Sequence, residues 1–191
     1  MKNDIEILRS VSKANSFYTD NELQLLGLKS CGSNVLISRK VSIYGADRMT
    51  IGNNVRVDDF CILSGNITLG NNVHISAYSA LYGAEGIEFK DHSGCSARTT
   101  IYSAMDDFSG DYLIGPMHPK GTTHVAGGKV TIGEYVQLGA HCLVFPNVTI
   151  HEGAVVGALS LITKDIPKWC IYVGIPARKL KDRKKGLLNL I

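Results

Sequence analysis

Two adjacent carboxylates, Asp106 and Asp107, and two imidazoles, His118 and His124, share one polar, turn-rich stretch from Tyr102 to Lys129. Carboxylates and imidazoles are the side chains that take a proton from an attacking group near neutral pH, so this stretch holds the candidate general bases. A connection inside a compact fold is ordinarily shorter than about 12 to 15 residues, and a longer one is usually functional. The second chemistry-bearing feature is C-terminal, where Arg178, Lys179, Lys181, Arg183, Lys184 and Lys185 crowd together. A net charge of +3 over 191 residues does not imply nucleic acid, but the local crowding implies an anionic partner. His92, beside Asp91 at a turn, is a weaker candidate base, and His74 and His151 read as surface residues.

The elements that must position these groups are legible in a repeat. Aliphatic residues fall at Ile132, Leu138, Val144, Ile150, Val156 and Ile162, each step being six, and Gly follows three of them. That period fits neither an α-helical face nor a sandwich strand. It fits a three-sided β-solenoid of 18-residue coils, with a short strand at each aliphatic position and a tight turn between strands. Stacked at about 4.8 Å, such coils put Ile132 over Ile150 and Leu138 over Val156. The same register runs earlier through Ile37, Ile43, Ile51, Val57, Leu63, Leu69, Ile75, Leu81, Phe89, Cys95 and Ile101. Two of its steps are eight residues long, through Tyr44-Gly-Ala-Asp47 and Tyr82-Gly-Ala-Glu85, and are expected as turns bulging from one kind of corner. The register is absent from Tyr102 to Lys129.

The expected organisation is an N-terminal helical cap over 1–27, a hexapeptide-repeat solenoid over 28–167 with its excursion loop at 102–130, and a C-terminal extension over 168–191. Ile5, Leu8 and Val11 have weak helical spacing in residues 1 to about 16. Thr19-Asp-Asn-Glu22 reads as a capping box opening a short helix that stops at Gly27. This cap would plug the first coil, whose open strand edges otherwise invite pairing. No apolar run approaches the ~18 residues of a membrane span, and the opening residues are too acidic for a signal peptide, so a cytoplasmic location is expected. The five cysteines form no CxxC pair and read as small buried thiols.

The hexads, the excursion, and Thr163-Lys164-Asp165-Ile166-Pro167 followed by Gly174-Ile-Pro176-Ala-Arg178 resemble the left-handed β-helix (hexapeptide-repeat) acyltransferases, particularly sugar acetyltransferases related to galactoside O-acetyltransferase. The resemblance covers about residues 28 to 181. It implies an all-β solenoid of left-handed coils, a homotrimer, and acetyl-CoA lying in the groove between neighbouring solenoids. It also implies site residues. Ala140 and Ala158 would sit one coil apart at a turn, their small side chains admitting the pantetheine arm; His141, next to Ala140, reads as a stacking residue in reach of the groove. Thr163 and Lys164 would meet the adenosine end, and Arg178 and Lys181 the phosphates. Lys181 stands where the family pattern often has Arg. Tyr78 and Glu85 would contact the acceptor.

Where that family usually carries a catalytic His after the last strand before the excursion, this chain has Asp106, with Asp107 beside it. His118 and His124 remain further candidate bases. A carboxylate of pKa about 4 is a poor base for a sugar hydroxyl, whereas an amine sheds its proton to a modest base or to water. The expected reaction is therefore N-acetylation of a nucleotide-linked amino sugar, such as a dTDP-4-amino-4,6-dideoxy sugar for surface polysaccharide (O-antigen) biosynthesis. The alternative is O-acetylation of a galactoside or polysaccharide hydroxyl. Zinc chemistry like that of the gamma-class carbonic anhydrases needs three convergent imidazoles, which the spacing of the six His does not offer, so no metal is expected. A non-enzymatic scaffold would need neither the long polar stretch nor the basic tail.

Overall fold

The computed structural model describes residues 16–190. The helix expected from residue 1 to about 16 falls outside these residues but for its last. Parallel two- and three-residue strands alternate with tight corners and wind into a three-sided solenoid. The first face carries Ser30–Cys31, Met49–Ile51, the end of Ile62–Leu69, the end of Ala80–Phe89, Val130–Ile132 and Thr149–Ile150. The second carries Leu36–Ile37, Arg56–Val57, His74–Ile75, Gly94–Cys95, Gln137–Leu138, Val155–Val156 and Cys170–Val173. The third carries Ser42–Tyr44, the starts of the two long strands, Thr100–Tyr102, Leu143–Val144 and Leu161–Ile162.

The hexad residues form the interior. Of the register positions, all but the half-buried Ile43 are buried, with Phe89, Ile75, Leu81 and Ile132 fully enclosed. Ile132 pairs in register with Ile150, and Leu138 with Val156, as the six-residue spacing predicts. The register also survives the excursion: Ile132 lies on Phe89, Leu138 on Cys95 and Val144 on Ile101. Thr19 caps the helix Asp20–Leu25 through a capping box with Glu22, and Leu23 from that helix is buried in the core cluster, so the segment does plug the first coil.

Each coil turns through three corners, and all use the left-handed backbone region; at the third it is taken by Gly45, Gly65, Gly86 and Asn147. At the first corner it is taken by Asn34, Asn54 and Asn72, residues that tolerate it, and then by His92, Tyr135 and Trp169. At the second it is taken by Phe60, Tyr78, Arg98, His141 and Leu159, with φ from 58 to 63°. A bulky residue there costs about 1–2 kcal/mol, and backbone ladders hold it: the amides of Tyr78, Arg98, His141 and Leu159 donate to the carbonyls of Asp59, Ala77, Ala97 and Ala140 at 2.9–3.0 Å.

Four expectations are corrected. The two eight-residue steps share the third corner but not a shape. The first is a 3-10 turn over Ala46–Arg48, whereas the second stays inside the strand Ala80–Phe89 as a bulge, because its neighbour Ile62–Leu69 extends through the corner and offers a continuous pairing edge. Residues 102–130 are not a plain loop: Ala104–Asp106 and Val125–Gly127 pair antiparallel, making the excursion a ribbon that leaves the third corner. The chain does not leave the solenoid at Pro167, since Cys170–Val173 adds a parallel rung to the second face before Arg178–Asp182 folds back antiparallel on it. Cys31 is exposed at the first rung's edge, while the other four thiols are buried and all five are free.

Truncating Phe89 leaves a void that stacked rungs cannot collapse into. Phe89→Ala is expected to destabilise the fold by about 3–5 kcal/mol in urea denaturation, and a loss under 1 kcal/mol would contradict the interior placement.

Candidate active site

The expected site residues fall into two groups on different corners of one chain. Tyr78, Ala140 and Ala158 sit at the second corner, where consecutive coils present Asp59-Phe60, Ala77-Tyr78, Ala97-Arg98, Ala140-His141 and Ala158-Leu159 as neighbouring rungs. The corner backbones here are close: a Cβ on Gly139 would strike the backbone nitrogen of Ala158. Ala140 is half-exposed and Ala158 exposed, so this stretch is a shallow, small-walled track, which fits a narrow acyl-carrying arm.

Glu85, Asp106, Asp107, Thr163 and Lys164 belong to the third corner or the ribbon rising from it. The Ser103 hydroxyl donates to the Tyr82 carbonyl at 3.0 Å and accepts from the Glu85 amide at 2.9 Å, tying the bulge to the ribbon's base. Gly127 lies so close that a Cβ would come within 2.6 Å of the Glu85 side chain. Tyr82 and Tyr102 stack at 5.0 Å on the outer surface just before the ribbon. Sequence reasoning passed over this pair, because an outward aromatic beside a register residue carries no periodic signal of its own.

The two aspartates differ. Asp107 is committed: its carboxylate accepts from the Ser109 amide at 2.6 Å and pairs with His124 Nδ1 at 3.1 Å, while its own amide donates to the His124 carbonyl at 3.0 Å. These bonds, that from the Ser109 backbone first, hold its carboxyl below the usual carboxylate range. His124 also lies against Tyr112 at 5.0 Å. Asp106, half-buried on the ribbon strand, makes no side-chain hydrogen bond or ion pair among the described residues. His118 is exposed at the ribbon's tip and is not brought near either aspartate by any contact among the described residues.

At the C-terminal end, Thr163, Lys164, Asp165, Tyr172, Arg178 and Lys179 line a groove of about 410 Å³. Its cationic rim suits phosphate groups. Arg178 joins Thr163 and Lys164 there, whereas Lys181, three residues on along the returning strand, does not line the groove and pairs in register with Ile171. Lys179, which does line it, is paired with Asp182 at 2.7 Å. Among the described residues no group of His, Cys, Asp or Glu is arranged to hold a metal, and no helix is long and apolar enough to cross a membrane.

A column of parallel hexad coils bearing one ribbon and a small-residue track is the framework of a hexapeptide-repeat acyltransferase. Residues 48–83 match the model of the bacterial transferase hexapeptide (six repeats), and the chain is 40% identical over 178 residues to the dTDP-4-amino-4,6-dideoxy-D-glucose acyltransferase of Escherichia coli, covering 92% of this chain and 93% of that one. The chain belongs to this family of hexapeptide-repeat acyltransferases, and its solenoid is the left-handed β-helix. It superposes with a TM-score of 0.90 and 51% identity on AntD, an N-acyltransferase from Bacillus cereus, over 92% of this chain and 95% of that one. AntD has been solved in complex with dTDP-4-amino-4,6-dideoxyglucose and coenzyme A, and with dTDP and 3-hydroxybutyryl-CoA. Galactoside O-acetyltransferase of Escherichia coli is 42% identical over only 53 residues, 28% of this chain and 26% of that one.

Since folding depresses the Asp107 carboxyl, the native chain binds that proton more weakly than the unfolded chain. The stabilisation is therefore full above an ordinary carboxyl pKa of about 4 and is lost as pH falls through the lower folded value. Amide exchange in Ala104–Asp106 and Val125–Gly127, corrected for its intrinsic pH dependence, should accelerate below about pH 4, and Asp107→Asn should abolish that step. The same step persisting in Asp107→Asn would show that another group controls the ribbon.

Proposed function

We propose that the protein transfers an acetyl group from acetyl-CoA to the amine of a nucleotide-linked 4-amino-4,6-dideoxy sugar. The observation that carries this reading is likeness over nearly the whole chain, at 40% and 51% identity, to two proteins named as acyltransferases, one acting on the dTDP-linked amino sugar and the other solved bound to it. The likeness to the galactoside enzyme is confined to about a quarter of each chain and gives no comparable support to hydroxyl acylation.

The geometry supports a site assembled between copies. The third face between Arg98 and Ser103 spans about 16 Å at ~3.3 Å per residue, so Asp106 of one chain cannot meet the Ala140 track of the same chain. A homotrimer in which the ribbon of one column lies against the second corner of the next brings both groups to one crevice. Large apolar side chains on the ribbon, Phe108, Ile114, Met117 and Val125, are exposed and available for that contact. In this arrangement Ala140 and Ala158 line the pantetheine, and Thr163, Lys164 and Arg178 take the adenosine and phosphate end. Lys181 adds only long-range charge.

Coenzyme A supplies the activated thioester. The neutral amine adds to its carbonyl, the N–H acidified by that attack gives its proton to Asp106, and the C–S bond breaks as the coenzyme sulfur leaves and collects a proton. Glu85, exposed beside the ribbon, offers a negative charge to the amine, and Asp107 and His124 hold the ribbon. AntD has been solved as variants at a serine and at an aspartate ten positions further along its chain. Ser96 and Asp106 are the only described serine and aspartate here with that spacing. Ser96 Oγ accepts from Gln137 Nε2 at 3.3 Å at the second corner, opposite in the crevice to the acid. The product is a nucleotide-linked acetamido sugar for surface polysaccharide such as O-antigen, made in the cytoplasm where acetyl-CoA is at hand.

Thiol release from acetyl-CoA and from 3-hydroxybutyryl-CoA, measured against dTDP-linked amino sugars, free amino sugars and plain galactosides, tests the reading. Turnover is expected with the dTDP-linked amine and acetyl-CoA, and acetylation of hydroxyl sugars alone would overturn it. Asp106→Asn should lower kcat by about 10²- to 10⁴-fold, while Asp107→Asn should have the smaller effect. Ala158→Trp should raise the KM for acetyl-CoA at least tenfold with sugar binding intact, as measured by titration.

A further inference from the structure

We propose that Gln137 is a positioning residue: it fixes the Ser96 hydroxyl as a hydrogen-bond donor aimed into the crevice, where the thioester carbonyl oxygen gathers charge. The proposal rests on the reading just given and says what the serine side of that crevice contributes.

The fold brings the two residues together by an offset of one rung. Outward residues of the second face reach the corner residue of the preceding rung: His74 Nε2 lies 2.8 Å from the Asp58 carboxylate, and Gln137 reaches Ser96 in the same way. Gln137 pairs in register with Gly94, so no side chain stands in its path, and a Cβ at Gly94 would come within 3.6 Å of Gln137 Oε1. The backbone itself demands that glycine, since the same Cβ would lie 2.8 Å from the His74 carbonyl oxygen.

A third atom settles the direction of the bond. Gln137 Nε2 also donates to the Leu138 carbonyl at 3.0 Å. A carbonyl oxygen only accepts, so a turned-over amide would set two oxygens against each other, and the nitrogen must be the atom on this side. Its second hydrogen goes to Ser96 Oγ at 3.3 Å. Ser96 accepts there, which leaves its own O–H pointing away from Gln137.

The backbone beneath that hydroxyl is held from several directions. The Ser96 amide donates to the Leu138 carbonyl at 2.8 Å, and its carbonyl accepts from the buried hydroxyls of Thr99 at 2.9 Å and Ser79 at 3.5 Å. Thr99 Oγ1 shares its hydrogen with the Gly139 carbonyl at 3.2 Å, which ties Ser96 to the backbone beside Ala140, where the coenzyme track begins. A hydroxyl on so fixed a mount has one freedom left, rotation about its C–O bond, and Gln137 removes it.

The polarity has a chemical consequence. An attacking amine needs its lone pair, so a hydroxyl proton resting on the nitrogen would oppose the reaction. On the thioester the same proton helps: as the C–N bond forms, the carbonyl π electrons move onto oxygen, and a preset donor stabilises that charge until the pair returns and the C–S bond breaks. The amine proton still goes to Asp106, and the sulfur collects its own.

Steady-state kinetics of Gln137→Met, Gln137→Glu, Ser96→Ala and the double variant Gln137→Met with Ser96→Ala test the assignment, using the best acceptor of the panel above and titration of coenzyme A as the control for folding. Ser96→Ala should lower kcat by about 10²- to 10³-fold. Gln137→Met keeps the length of the side chain but donates nothing, and should lower kcat about 3- to 10-fold with KM unchanged. Gln137→Glu should approach the loss in Ser96→Ala, because a carboxylate captures the hydroxyl proton. Once the hydroxyl is gone, the change at 137 should cost nothing further. Native kcat in both Gln137 variants, or a loss at 137 that persists undiminished without the hydroxyl, overturns the assignment alone. A protein that turns over no acceptor with acetyl-CoA overturns it together with the reading it rests on.

Discussion

No single coil of this chain can bury its own aliphatic residue, and that constraint governs the rest of the structure. Each coil contributes only a few inward side chains, so enclosure comes from the coil above and the coil below at the fixed spacing of paired strands. Ile75 and Phe89 are fully enclosed only because neighbouring rungs close over them. The capped first coil follows from the same requirement, with Leu23 of the short helix supplying the cover that a preceding rung would otherwise give.

Enforced stacking turns the corners into tracks. A residue type placed at one corner recurs above itself one rung later, so small residues at Ala140 and Ala158 make a continuous shallow path, and aromatic residues at Phe60 and Tyr78 a stacked pair. The candidate acid lies off these tracks, on the ribbon, a segment released from the period. Within the ribbon, Asp107 is consumed by Ser109 and His124, and Asp106 is left open.

The faces were legible in the sequence because burial is periodic and six-residue spacing has no helical or sandwich counterpart. The capping box was legible because it is a local reciprocal bond. The long strand through Tyr82-Gly-Ala-Glu85 was not, since it depends on the neighbour Ile62–Leu69 rather than on its own residues. Nor was the rung at Cys170–Val173, because Pro167 reads as an exit while the sheet edge ahead of it still offers pairing. Ala140, Ala158, Thr163, Lys164 and Arg178 came from resemblance, and the last three are brought to one groove. Lys181 does not line that groove, and the shift in pairing between Ile171 and Tyr172, which separates it from Lys179, has no mark in a uniform run of basic residues. Gln137 and the Tyr82–Tyr102 stack carried no signal, their neighbours in space being a coil or more away in sequence.

The Gly128 amide donates to the Ser103 carbonyl at 2.8 Å, so the chain re-enters the column beside the point where it departed. Because Ile101 is followed in the stack by Val144 with no slip, the column does not sense what lies between those two points. The ribbon is thus a cassette. Its length and tip can drift or be exchanged while the architecture beneath stays put, which lets one scaffold be retuned to new acceptors by editing a single insertion.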